Sequence, residues 1–219
     1  MPTPPQHFAN GHYDRQAAVE FALRYKDKSV FEADGYPTEP NNDCTNFVSY
    51  VLQAGGLLQS DVWKPGADAW RNTPDLFIFL RDTVGFKENS DPFYNTPNVS
   101  TPDPEDYLQL RENNAYTAMK VQLVQNRWDE FIAQNQNIQP GDLVFLLDPT
   151  HYAGAWTHVE VVTGWDTETT WDSKIVNGIQ EPLVVDHSGR PIITPDKLPR
   201  SVGDTAGTGI QKVVFLRAP

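Results

Sequence analysis

Up to about residue 134, apolar positions recur every three or four residues, and beyond residue 139 they gather into short continuous runs. The first pattern marks helices with one buried face; the second marks buried strands. Tyr13-Asp14-Arg15 opens a helix to about Lys26, with Ala17, Ala18, Phe21, Ala22 and Tyr25 on one side. Residues 27–42, broken by Gly35, Pro37 and Pro40, read as irregular. A second helix follows Asp43, with Phe47, Val48, Val51 and Leu52 sharing a face and Gly55-Gly56 ending the run. Thr73-Pro74 offers an N-cap and a first-turn proline to a third helix, which buries Leu76, Phe77 and Leu80 and stops near Gly85. Residues 86–104 are polar and proline-rich, the pattern of a loop. From about Glu105 to Gln134 the helical spacing returns through Val121, Leu123, Val124, Trp128 and Phe131, with a break near Asn113-Asn114.

Gln139-Pro140-Gly141 marks the change of period. Strands are expected at Asp142 to Leu147, from near Thr157 to Val162, around Leu183 to Val185 and around Val213 to Leu216. Helices first and strands later is the order of an α+β domain, N-terminal helices packed on a C-terminal antiparallel sheet. No internal repeat divides the chain. We expect a flexible, proline-rich lead-in over residues 1–12 and one domain over 13–219.

Composition narrows the function. A chain of 219 residues can bury a sizeable core. A net charge of −12 excludes nucleic acid as a partner, because phosphate contacts need clustered Lys and Arg. The same charge opposes docking on anionic lipid. No apolar run reaches the roughly 20 residues of a membrane span, so no membrane insertion is expected. Residues 1–13 lack the apolar core of a signal peptide. A monomer is expected. Asp103, Glu105 and Asp106 read as a solvated helix start rather than a calcium site.

The chain holds one cysteine, Cys44, in Asp43-Cys44-Thr45-Asn46-Phe47-Val48-Ser49. A lone thiol forms no internal disulfide, and a lone thiolate is a poor metal site. With Asp43 as N-cap, Cys44 lies in the first turn, where the helix dipole favours thiolate over thiol. A cysteine nucleophile also needs a base in hydrogen-bond reach and a group to orient that base. His7 and His12 lie in the lead-in, and His151 reads as a loop residue. His158 opens the apolar run Trp156-Thr157-His158-Val159-Glu160-Val161-Val162-Thr163-Gly164. His187 ends the next strand, Leu183-Val184-Val185-Asp186-His187-Ser188. Antiparallel strands could bring His158 to His187 or to Asp186. Successive side chains point to opposite faces, so only one of the two can be the orienter.

The segments Tyr13-Asp14-Arg15-x-Ala17-Ala18-Val19 and Asp43-Cys44-Thr45-Asn46-Phe47-Val48-Ser49, with Ala54-Gly55-Gly56, resemble the putative amidase domain family. That family is a branch of the papain-fold group that includes the NlpC-type cell-wall peptidases. Ala69-Trp70-Arg71-Asn72, Pro140-Gly141-Asp142-Leu143-Val144-Phe145 and Trp156-Thr157-His158-Val159 with Val162-Thr163-Gly164 extend the resemblance over residues 13–217. It implies a papain-like fold and a cysteine-dependent amidase or peptidase that needs no cofactor or metal. It implies Cys44 as nucleophile, His158 as base and His187 as third member in preference to Asp186. Asn42 is a candidate oxyanion donor on position alone, and Trp70 and Trp156 are candidate walls of the cleft, with a core role the commoner one for both tryptophans. By analogy with the relatives, the expected partner is a peptide or cell-wall amide substrate, and the expected setting is extracellular or the cell envelope. An inactive binding module and an acyltransferase using the same thioester are the competing functions. Residues 86–135 and the stretch between Thr163 and Glu181 are longer than the family pattern.

Overall fold

The first two helices begin where a short acidic side chain takes up an orphan amide. Asp14 Oδ1 accepts from Ala17 N at 3.0 Å at the start of α1 (Arg15–Arg24), and Asp27 Oδ1 accepts from Ser29 N at 2.8 Å at the start of α2 (Lys28–Ala33). The structure, a computed structural model, describes residues 7–40, 43–89, 93–94, 137–147, 156–166, 181–187, 196–197 and 212–219. Helix α2 lies in a stretch expected to be irregular. Its six residues are too few to show a period, yet they bury Phe31 completely.

α3 (Asp43–Ala54) carries the cysteine segment, and α4 (Asp68–Arg71) and α5 (Thr73–Ile78) follow. Asp43 is the first residue of α3, not its cap. Thr73 likewise lies within α5, and its hydroxyl sits 2.7 Å from that of Thr45. The α5 backbone widens into a π-type turn over Phe79–Val84 and ends at Gly85, whose φ of 93° suits glycine.

Among the described residues seven strands form one antiparallel sheet: β1 (Lys87–Glu88), β2 (Phe93–Tyr94), β3 (Leu143–Leu147), β4 (Trp156–Asp166), β5 (Glu181–Val185), β6 (Asp196–Lys197) and β7 (Lys212–Arg217). Their order is β1-β7-β3-β4-β5-β6, with β2 also paired to β7. β1 and β2 replace part of the loop expected over residues 86–104; two-residue edge strands have no legible alternation. The helix expected over residues 105–134 lies outside the described residues.

One sheet face meets the helices. Leu143, Phe145, Val159, Val161, Val185, Val214 and Leu216 join Phe47, Val48, Val51 and Leu52 in a single core. Alternation sends Val144, Leu146, His158, Glu160, Val162 and Val184 to the other face, where the valines are buried as well. Burial on both faces explains the unbroken apolar runs in the sequence.

Distant segments close on one another through few groups. Arg15 Nη1 bonds Asp142 Oδ1 at 2.6 Å and Arg15 Nη2 bonds the Ala218 carbonyl at 3.0 Å. Asp142 also accepts from Ala218 N at 3.0 Å and from Gln139 N at 2.8 Å. The lead-in is not loose over its described part. Phe8 is buried and bridges to Leu57, while Ala9 N donates to the Gly56 carbonyl at 2.9 Å. The Tyr13 ring packs against Gly55, where an added Cβ would collide with it.

Candidate active site

Helix α3 is buried on nearly every side, so its polar residues each need a partner. Ser49 Oγ donates to the Trp70 carbonyl at 2.9 Å, and Asn46 Oδ1 accepts from Trp70 Nε1 at 2.9 Å. Asn46 Nδ2 donates to the Pro37 carbonyl at 2.8 Å. This lattice fixes the helix start and with it Cys44, which is 6% exposed.

His158 reaches Cys44 from β4, and the two side chains share a hydrogen bond. Burial pushes the thiol up, but the charge on His158, hydrogen bonds from His158 and the Thr45 hydroxyl, and the Val159 N–H together hold it below its ordinary value. Burial pushes His158 down, and the negative charges of Cys44 and Asp186 outweigh this, raising it well above its ordinary value. Each group thus favours the charged form of the other. The His158 side chain is 21% exposed, so the pair meets solvent on the imidazole side.

Asp186 completes the group. Its Oδ2 lies 2.6 Å from His158 Nε2. With Nε2 held there, Nδ1 is the ring nitrogen left to face the sulfur. The register pairs Val161 with Val185. Continued by one residue it sets Asp186 opposite Glu160, on the same face as His158. Glu160 Oε1 stands 3.5 Å from the same Nε2. His158, Glu160 and Asp186 each offer an atom within 4.8 Å of the others, a set that could hold a divalent cation.

His187 does not join His158, contrary to the role expected for it. Being one residue further on, it turns to the helix face. Its side chain is fully buried, stacked on Phe47 at 3.9 Å between ring centres. Nδ1 lies 2.8 Å from Asp43 Oδ2 and Nε2 lies 2.7 Å from the Tyr25 carbonyl. Trp70 does not wall a cleft either: it is 1% exposed and packs against Tyr50 and Trp63. Its indole N–H is spent on Asn46, the role of a core anchor. Trp156 pairs with Leu147 at the start of β4, and its side chain, like all of Asn42, lies outside the described residues.

Two neighbours of the site went unnoticed in the sequence. Glu160 was hidden inside an apolar strand, although two-residue spacing from His158 was a signal that it shares its face. Asp43 was read only as a cap, since its partner lies 144 positions away.

A family described as a putative amidase domain matches residues 12–188, a span that contains Cys44, His158, Asp186 and His187. An uncharacterized protein of Bacillus subtilis (strain 168), YjcM, is 34% identical over 75 residues, which are 34% of this chain and 18% of that protein. The chain thus covers less than a fifth of the length of that relative. No solved structure matches the chain.

Proposed function

Since the chain belongs to the putative amidase domain family, we propose that it is a cysteine-dependent amide hydrolase in which Cys44 is the nucleophile, His158 the acid and base, and Asp186 the orienter. The single observation that supports this most is the chain of contacts from thiol to imidazole to carboxylate, with Asp186 Oδ2 2.6 Å from His158 Nε2. The family name accounts for an amide bond as target; the thiol accounts for how it is cut. We extend the proposal to a papain-like architecture, because a helix-borne cysteine faces a strand-borne histidine across an antiparallel sheet.

The chemistry proceeds in two halves. The Cys44 thiolate attacks the amide carbonyl carbon, and the carbonyl electron pair moves onto oxygen. The Cys44 N–H, a first-turn amide of α3, is our first candidate to hold that oxyanion; a donor of this kind is typically worth about 3 kcal/mol. Asn42 is our candidate for a second donor. The C–N bond then breaks, His158 gives its Nδ1 proton to the departing amine, and the acyl group remains on sulfur as a thioester. Water enters, His158 takes one of its protons, and the hydroxide attacks the thioester carbon. Collapse of that intermediate releases the acid and restores the thiolate and the imidazolium. Asp186 keeps the ring in the orientation and tautomer that both halves need.

For substrate we propose a peptide amide, with the stem peptide of peptidoglycan as the first to test. That choice rests on analogy with NlpC-type peptidases, since fold and chemistry alone do not name a substrate. Purified peptidoglycan is incubated with the protein and released fragments are weighed by mass spectrometry. New amine termini in the wild type, absent from Cys44→Ser, are the expected result. Loss of the thiol should lower turnover by at least about 10³-fold. The thermal midpoint of Cys44→Ser should change little, because the replacement is nearly isosteric and His158, without the thiolate, can release its proton. Turnover that survives Cys44→Ser but is abolished by a chelator would replace this reading with metal-assisted hydrolysis at His158, Glu160 and Asp186.

A further inference from the structure

Two dipeptides cross at this site, and each divides its labour. In Asp43-Cys44 and Asp186-His187, the inner pair of residues serves the reaction: Cys44 meets His158 on one ring edge and Asp186 meets it on the other. The outer pair, Asp43 and His187, meets directly at 2.8 Å. Adjacent α-carbons are a fixed 3.8 Å apart. Joining residue 43 to residue 187 therefore keeps residue 44 close to residue 186, on either side of the His158 ring.

Hydrogen-bond accounting gives the charge state of this contact. The Tyr25 carbonyl only accepts, so His187 Nε2 must donate to it. Nδ1 faces a carboxylate. Asp43 is pushed up by burial but held below its ordinary value overall by bonds from His187, the Glu39 N–H and Asn46, which makes it the anion. An anion at Nδ1 and a carbonyl at Nε2 require a proton on both ring nitrogens. The ring that meets both groups is stacked on Phe47 and edge-on to Phe31. The other charged groups around it are Lys28, whose Nζ is 3.5 Å from Asp43 Oδ2, and Asp27, whose carboxylate its charge also favours.

A carboxylate one residue from a sulfur opposes formation of the thiolate. Lys28 is a partial remedy, being 37% exposed and open to screening by water. The fully buried His187 is the stronger one. We propose that His187 is a positioning residue: paired with Asp43, it fixes Cys44 against Asp186 across the His158 ring and cancels the carboxylate charge beside the thiolate. The inference rests on Cys44 being the nucleophile.

The test is the pH profile of Cys44 alkylation by iodoacetamide in the folded protein, for wild type, His187→Gln, Asp43→Asn and the double variant. His187→Gln unmasks Asp43 and should move the alkylation midpoint up by about one pH unit, a tenfold loss of thiolate at a fixed pH on the rising limb. The double variant, with both charges removed, should return most of the way. A His187→Gln midpoint equal to wild type, with only the melting temperature lowered, would reduce the pair to a structural anchor and overturn the proposal. Should His187→Gln fail to fold, ¹⁵N shifts of the wild-type ring decide: protons on both nitrogens at neutral pH are expected, and a neutral tautomer overturns it. An ordinary thiol profile in the wild type itself would instead remove the hydrolase reading, whatever the ring spectrum shows.

Discussion

At the residue scale the thiol and the imidazole shift in opposite directions, one below and one above its ordinary value. In the proposed mechanism the active form carries the thiolate and the imidazolium together. It is lost in acid as Cys44 takes up a proton and in base as His158 gives one up. A bell-shaped pH dependence of kcat/KM follows, its acid limb below the range of an ordinary thiol and its alkaline limb above that of an ordinary imidazole. Asp186→Asn removes a charge that raises His158, so the alkaline limb should move down and kcat should fall by roughly 10²-fold or more. Titration of the activity of both proteins over the same pH range checks this. Asp43 gives a stability counterpart. Its carboxyl is held below the ordinary value of 3.8 in the folded chain. Its contribution is therefore present above that value and is lost as pH falls through the folded-state value. The melting temperature of the wild type should drop more steeply below about pH 4 than that of Asp43→Asn.

At the element scale α3 is the frame of the site, and its two ends are held by different means. The N-terminal end is tied by polar bonds from Asp43, Thr45, Asn46 and Ser49. The C-terminal end is tied by shape. Gly55 lies under the Tyr13 ring, which is itself held between Phe8 and Phe86 with centroid distances of 5.8 Å to each. The Gly55 carbonyl accepts from Asp14 N at 2.9 Å, so the start of α1 and the end of α3 move together. A methyl group at residue 55 cannot fit without displacing that ring. Gly55→Ala should cost about 1–3 kcal/mol in urea unfolding, and trimming the ring with Tyr13→Ala should make the two losses less than additive. The resemblance to the family rests partly on these residues, and the contact gives a physical reason for Tyr13 and Gly55 to occur together.

At the scale of the whole molecule, closure of the chain depends on one buried carboxylate. Asp142 holds Arg15 near the start, Gln139 before β3 and Ala218 near the end. Its side chain is fully buried, while that of Arg15 is 27% exposed. Asp142→Ala leaves three donors without their acceptor and should cost about 3–5 kcal/mol, measured by denaturant unfolding. The same variant should leave the alkylation midpoint of Cys44 unmoved in the folded fraction, because neither Asp142 nor Arg15 touches the Cys44–His158 pair. Global stability and local reactivity are thus separable, the first carried by Asp142 and the second by Asp186.

Local pattern was enough to read α1, the course of α3 with Cys44 in its first turn, the four longer strands and the α+β order. Each of these depends on near neighbours: helical spacing, turn residues, continuous apolar runs. The sequence also offered His158 as base, because a polar ring at the start of an apolar strand stands out. It could not choose between Asp186 and His187. That choice depends on the register of β5 against β4, and a slip of one residue exchanges the faces. The pairing itself shifts between Val162 and Gly164, an irregularity with no local signature. The role of Trp70 is hidden for a similar reason: nothing near it in sequence shows that its N–H is taken by Asn46. Tertiary structure alone decided which acid faces the base and which imidazole faces Asp43, because both are contacts between segments more than a hundred residues apart or set by strand register.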